Sequence, residues 1–145
     1  MARADEDLHE IVAELRLASF RLSRRLQSER DRDGLSDPQH TVVGHLIRVG
    51  EPRTIGALAE YQGVTAPTMN RTVNLLEAAG YVRRLGDPDD RRRVLVEATQ
   101  RGVELIEATR RRRNEWLESQ LVDLAPTDLA AIARAATLML EISRR

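Results

Sequence analysis

Residues 81–102 read YVRRLGDPDDRRRVLVEATQRG, in which two short runs, Tyr81–Leu85 and Arg93–Ala98, flank a turn made of Gly86, Asp87, Pro88, Asp89 and Asp90. Glycine, aspartate and proline supply the backbone angles and local hydrogen bonds that reverse a chain, so the segment predicts a β-hairpin. Acids and arginines share its tip. Standing alone, such a tip is an ordinary charged loop whose exposed ion pairs contribute little. Its meaning depends on what precedes it.

Upstream, a short helix begins near Thr54, turns Ile55, Leu58 and Ala59 inward, and ends at Gln62–Gly63, where glycine can take the left-handed conformation. A second helix follows over 66–79. Thr65 is a good N-cap, Pro67 is harmless in a first turn whose N–H groups are unpaired anyway, and Met69, Val73 and Leu76 form an inward stripe. Helix, glycine turn and helix make a helix-turn-helix, whose second helix enters the major groove of DNA with its first residues at the base edges. Thr65, Ala66, Pro67 and Thr68 occupy that start, and Thr68, Asn70, Arg71 and Asn74 face outward. Arginine can grip guanine, and asparagine adenine, through paired hydrogen bonds. A merely solvated helix face would carry similar residues; the hairpin over 81–98, placed as a wing directly after the helix, favours a DNA reader. At its tip Asp90 lies two residues before Arg92, beside Arg91, a spacing at which the acid can orient the guanidinium by a charge-assisted hydrogen bond.

Working outward, Leu8, Ile11, Val12, Leu15, Leu22 and Leu26 recur at helical steps between Asp5 and about Asp31. After the break RDRDGLSD, Ser36 with Gln39 gives a capping-box signal for a helix that buries Val42, Val43, Leu46 and Ile47 and stops at Gly50 and Pro52. Beyond the hairpin, Thr99 can cap a long helix to about Leu121, and Thr127 or Asp128 a last one to about Ser143, with Pro126 at the join. Leu129, Ile132, Ala136 and Met139 recur at coiled-coil-like spacing. Such stripes serve either an internal helical core or a second copy of the chain.

The chain has 145 residues, 41% hydrophobic and 32% charged but 3% aromatic, so one globular unit with an aliphatic core is expected. It holds no cysteine, which removes disulfides and thiolate metal sites. The polar start MARADEDLHE is unlike a signal peptide, and no apolar run approaches the ~20 residues that span a bilayer, so a cytoplasmic protein without a membrane partner is expected. Net charge is zero, which argues against strong non-specific attraction to nucleic acid. No phosphate-cradling loop or nucleophile triad occurs, and Asp89 and Asp90 sit in an open turn, without the burial that general acid work needs. No catalytic residue and no cofactor are expected. His40 and His45 are five residues apart, on different helix faces, and form no metal site. Arg110–Arg113 fan around a helix between Glu107 and Glu115, which suits surface ion pairs better than one flat basic face.

The stretch LAEYQGVTAPTMNRTVNLLEAAGYVRRLGDPDDRRRVLVEATQRG resembles the MarR family of bacterial transcriptional regulators, through its helix-turn-helix, its LEAAGYVRR exit and its DPDDRRRVLV wing. The resemblance implies a mainly α (α+β) fold in which residues 1–145 form a single MarR-type domain. Residues 36–98 would be the winged helix-turn-helix, and the N- and C-terminal helices, 1–33 and 100–145, the dimerisation region. It implies a homodimer bound to double-stranded DNA at a pseudo-palindromic operator, acting as a repressor, with Arg92 in the minor groove and Arg84 on the DNA backbone. It also implies a small-molecule effector pocket bordered by Phe20, His40, Thr41, His45 and Trp116. Ala98 departs from the family's usual leucine, a change at the wing's exit. Zero net charge supports a different class, a winged-helix protein-interaction module without DNA binding.

Overall fold

Met69, Val73 and Leu76, spaced four and three residues apart, put one stripe of a helix into the interior, and all three are fully buried. The computed structural model describes residues 2–28 and 34–145, with side chains from Asp7 onward. The element order is α1 (Ala2–Gln27), α2 (Asp37–Val49), β1 (Arg53–Thr54), α3 (Ile55–Gln62), α4 (Ala66–Ala78), β2 (Val82–Gly86), β3 (Val94–Ala98), α5 (Gln100–Leu121) and α6 (Pro126–Ile142). The fold is mainly helical with one small antiparallel sheet in the order β1-β3-β2. The chain divides into two compact units within α5, between Arg110 and Arg111.

The core of the first unit joins Val42, Val43 and Leu46 of α2, Leu58 and Ala59 of α3, the α4 stripe, Val82 of β2 and Val96 of β3. Ile55 and Ile47 pack at its margin, as does Ala98, the family departure at the wing exit. Local signals set the helix ends. Gln39 Oε1 accepts from the Ser36 N–H at 2.8 Å, and Thr54 Oγ1 accepts from the Ala57 N–H at 3.1 Å. Gly50 and Gly63 close α2 and α3 with positive φ of 73° and 66°.

The structure adds one strand and moves some boundaries: Gly86, expected in the turn, pairs with Val94 as the last residue of β2, and α4 ends at Ala78 where 79 was expected. β1 has no periodic signal, being two residues long; it exists because Arg53 and Thr54 lie opposite Val96 and Leu95 in the sheet. The last helix starts at Pro126 with Ala125 at its cap and no side-chain hydrogen bond, in place of the expected Thr127 or Asp128 cap. Proline's preset φ suits a first helical position. The first helix runs to Gln27; the expected end near Asp31 lies outside the described residues.

The passage from the wing to α5 is closely packed. Thr99 donates its N–H to Tyr81 O at 3.0 Å and its hydroxyl to Gly80 O at 2.6 Å. A Cβ on Gly102 would stand 2.3 Å from Tyr81 O, so only glycine fits there. Outside this core the helices carry their apolar residues in the open: Ile11 and Phe20 of α1 are 58% and 64% exposed, and α6 has no buried residue.

Candidate nucleic-acid interface

The inner stripe of α4 anchors the helix, leaving Ala66, Pro67, Thr68, Asn70, Arg71 and Asn74 exposed. Thr65 caps it, accepting from the Thr68 N–H at 3.4 Å while the two hydroxyls stand 2.9 Å apart. The expected outward face is therefore present, residue by residue. Asn70 and Asn74, one turn apart, lie side by side on that face.

Arg84 does something the sequence reading did not foresee. From β2 it reaches back under α4, where Nη2 donates to Asn70 Oδ1 at 2.8 Å and to Asn74 Oδ1 at 2.7 Å, and Nη1 pairs with Glu77 Oε2. Glu77 Oε1 also accepts the Arg84 backbone N–H at 3.1 Å. The arginine expected to meet the DNA backbone thus has a side chain only 25% accessible and committed within the protein. Glu77 escaped the sequence reading entirely. Its only sequence signal was an acid in the last turn of α4, seven residues before a basic strand residue. An open pocket of about 520 Å³ lies alongside, lined by Ile55, Ala66, Pro67, Asn70, Arg84 and Val94.

In the wing, Asp87 accepts from the Asp89 N–H at 2.9 Å and stands 3.8 Å from Arg93 Nε. Asp90 Oδ1 accepts the backbone N–H of Arg92 at 3.0 Å, and its carbonyl accepts the N–H of Arg93 at 2.9 Å. This corrects the expected role: Asp90 sets the turn that carries Arg92, and among the described residues it makes no ion pair with the Arg92 guanidinium. Short acidic side chains readily bond the backbone two residues on, which competes with pairing to a long, mobile arginine. Arg91, Arg92 and Arg93 are all exposed at the tip, with Arg93 facing Asp87. Further down, Arg83 and Glu97, opposite one another in the ladder, form a cross-strand ion pair.

The five residues expected around an effector pocket have varied settings. Phe20 is exposed on α1, His40 is buried in α2, and Thr41 borders an open pocket of about 450 Å³ with Asp37, Pro38, Tyr61, Gln62 and Val64. Trp116 belongs to the second unit. His45 stacks on Tyr61 at 3.7 Å between ring centroids. Arg48 Nη2 donates to the Tyr61 hydroxyl at 2.9 Å and lies 3.0 Å from His45 Nδ1. A guanidinium only donates, so Nδ1 accepts and the ring is neutral. Burial, then the charges of Arg48 and Arg53, hold the His45 pKa below its ordinary value. Among the described residues no group of three histidines or acids is placed to hold a metal ion, and no helix is long and apolar enough to cross a membrane.

Helix α3, the Gly63 turn, α4 and the β2–β3 hairpin define a winged helix-turn-helix protein. The MarR family profile matches residues 33–93. Over 132 residues, 91% of this chain and 92% of the relative, the sequence is 36% identical to a helix-turn-helix-type transcriptional regulator of Mycobacterium bovis, and it matches one from Mycobacterium tuberculosis equally well. The chain belongs to the MarR family of transcriptional regulators. Among solved structures it is similar to a transcriptional regulator from Pseudomonas aeruginosa, with 27% identity, a TM-score of 0.81 and 97% of each chain covered. A substituted MepR of Staphylococcus aureus bound to an oligodeoxyribonucleotide shares the fold, with 21% identity, a TM-score of 0.74 and coverage of 90% of this chain and 95% of that one.

Proposed function

We propose that the chain is a homodimeric, sequence-specific repressor that occludes a promoter at a pseudo-palindromic operator and is released by a small-molecule effector. Residues 36–98 read DNA, through Thr65, Ala66, Pro67, Thr68, Asn70, Arg71 and Asn74 of the recognition helix and Asp90, Arg91 and Arg92 of the wing. The observation that carries this reading is the pairing of an exposed, internally anchored polar face on α4 with three exposed arginines at the following hairpin tip. No catalytic step is assigned to the chain, and its place of action is the cytoplasm, where bacterial DNA lies.

The terminal segments, 1–33 and 100–145, pair two copies. Support comes from the apolar residues of α1 and α6, such as Leu8, Ile11, Leu129 and Ile132, which lie exposed in the single chain. Two-fold pairing sets two recognition helices about one DNA turn apart.

Gel retardation of duplexes tiling the chain's own promoter region, with light scattering of the free protein, tests the proposal. One fragment retained by a dimer is expected, with affinity falling steeply as salt rises. Failure to retain any fragment at low salt overturns it. Partner binding insensitive to salt would instead support the protein-interaction reading that zero net charge favours.

A further inference from the structure

We infer that Arg84 is a positioning residue that turns Asn70 and Asn74 into dedicated hydrogen-bond donors, so that the operator presents acceptors, guanine foremost, at the two positions they face. The inference rests on the DNA-reading function proposed above and adds what that surface selects.

The chemistry of the contact decides the orientation. A guanidinium has N–H groups and no acceptor, so the carboxamide atom that meets it is the oxygen. Nη2 has two hydrogens, and one goes to each asparagine, at 2.8 and 2.7 Å. Glu77 holds the other arm of the fork and the Arg84 backbone N–H, which keeps the guanidinium in place before any ligand arrives. Both carboxamides therefore have Oδ1 toward Arg84 and Nδ2 away from it.

Paired recognition of adenine needs both ends of one carboxamide, the oxygen to accept from N6 and the nitrogen to donate to N7. Here the oxygen already serves a cation. That charge weakens it as an acceptor for a second donor and strengthens the N–H groups, because bonds in a chain polarise one another. Guanine offers N7 and O6 and thymine offers O4, whereas cytosine shows only its amino donor in the major groove. The two positions should thus select guanine, then thymine, and exclude cytosine, with adenine losing its usual advantage. The reading of asparagine as an adenine grip, natural from sequence alone, is replaced.

Selection from randomised operator duplexes, with affinity measured across a salt series, tests this on the full-length dimer. Arg84→Met removes the fork; the freed carboxamides should lose their acceptor preference and gain adenine, while the slope of log affinity against log salt stays unchanged. Arg84→Lys restores a charge without the two-armed geometry and should not restore the preference. If Arg84 instead met a phosphate, Arg84→Met would lower that slope by about one unit, Arg84→Lys would recover it, and base preference would not move. That result overturns the inference.

Asn74→Asp keeps an oxygen for Arg84 but removes the outward donor, and it leaves the Arg84–Glu77 pair intact, so it carries the test should Arg84→Met not fold. One operator position should then switch toward cytosine, whose amino group a carboxylate accepts. An unaltered preference in a folded Asn74→Asp protein overturns the inference. An unmodified protein that binds no duplex removes the DNA-reading function itself, a different result from variants that bind with unchanged preference.

Discussion

The recognition helix and the wing tip carry the same kinds of residue, polar and charged, yet they are held in opposite ways. α4 is seated on a buried stripe of Met69, Val73 and Leu76, and two of its outward side chains are tied by Arg84. The tip is held by turn hydrogen bonds at Asp87 and Asp90 and a long Asp87–Arg93 ion pair, and its Arg91 and Arg92 side chains are exposed. Base reading needs atoms fixed to within a fraction of an ångström, because a bidentate contact is directional. Attraction to a charged groove tolerates a mobile guanidinium. For the DNA-reading function proposed above, the contrast predicts a division of labour in which α4 discriminates and the wing adds affinity.

The sharpest way to break the comparison is to unseat the helix. Met69 is fully buried beneath α4, so Met69→Ala should cost about 2–5 kcal/mol of stability through lost burial and the cavity left behind. Chemical denaturation would read this as a lower midpoint at unchanged slope. A loss below about 0.5 kcal/mol, the range of surface changes, would mean that α4 does not depend on its stripe.

What the sequence made legible follows the same division. Gly63, Thr65 and Pro67 act on their own neighbours, and the α4 stripe repeats at helical period, so the helix-turn-helix could be read without tertiary information. Turn chemistry at Gly86–Asp90 announced the wing in the same local way. The Arg84 network could not be read so, because its partners Glu77, Asn74 and Asn70 lie 7, 10 and 14 residues away, on another element. β1 stayed hidden for a related reason: two residues have no period, and their pairing is with a strand more than forty residues later. Asp90 was legible as an organiser, but its true partner is a backbone N–H, which spacing alone does not distinguish from the side chain two residues on.

Arg71 tests the discriminating side. It is exposed on α4, and Arg71→Ala should cost about 1–3 kcal/mol at the preferred operator and relax the choice at one base pair, if it makes a bidentate contact. Equal loss on every duplex, read by competition binding, would move Arg71 to the backbone class. Arg92→Ala, in the wing, should show the converse: weaker binding to all operators, strongest where A/T-rich flanks narrow the minor groove, and no change in stability beyond about 0.5 kcal/mol. An unchanged affinity would leave the wing tip without a role in binding.

Mild acid should act on the helix side of the molecule, at His45. His45 is neutral in its stack on Tyr61, and its pKa is lowered, so the unfolded chain binds more protons as pH falls below the ordinary histidine value of about 6.5. The stability contributed at higher pH is lost on acidification through that value toward the folded pKa. Thermal melts of the protein and of His45→Phe, which keeps an aromatic face on Tyr61, should converge in slope above about pH 7 and diverge below it. Parallel profiles throughout would show that the stack does not titrate with folding.

The smallest effect separates the two possible duties of Asp90. Asp90→Ala removes the acceptor for the Arg92 N–H and should cost about 0.5–1.5 kcal/mol of local order in the turn, seen as faster amide exchange at Arg92 and Arg93. Asp90→Asn keeps an oxygen at the same place and removes the charge. If the acid works by setting the backbone, the Asp90→Asn protein protects those amides as the unaltered protein does and keeps operator affinity equal or slightly higher, since a negative charge has left a DNA-facing tip. If it works by steering the Arg92 guanidinium, Asp90→Asn should instead resemble Asp90→Ala in affinity while still protecting the amides. The two measurements together assign the residue, because only the backbone role makes protection and affinity recover in the same variant.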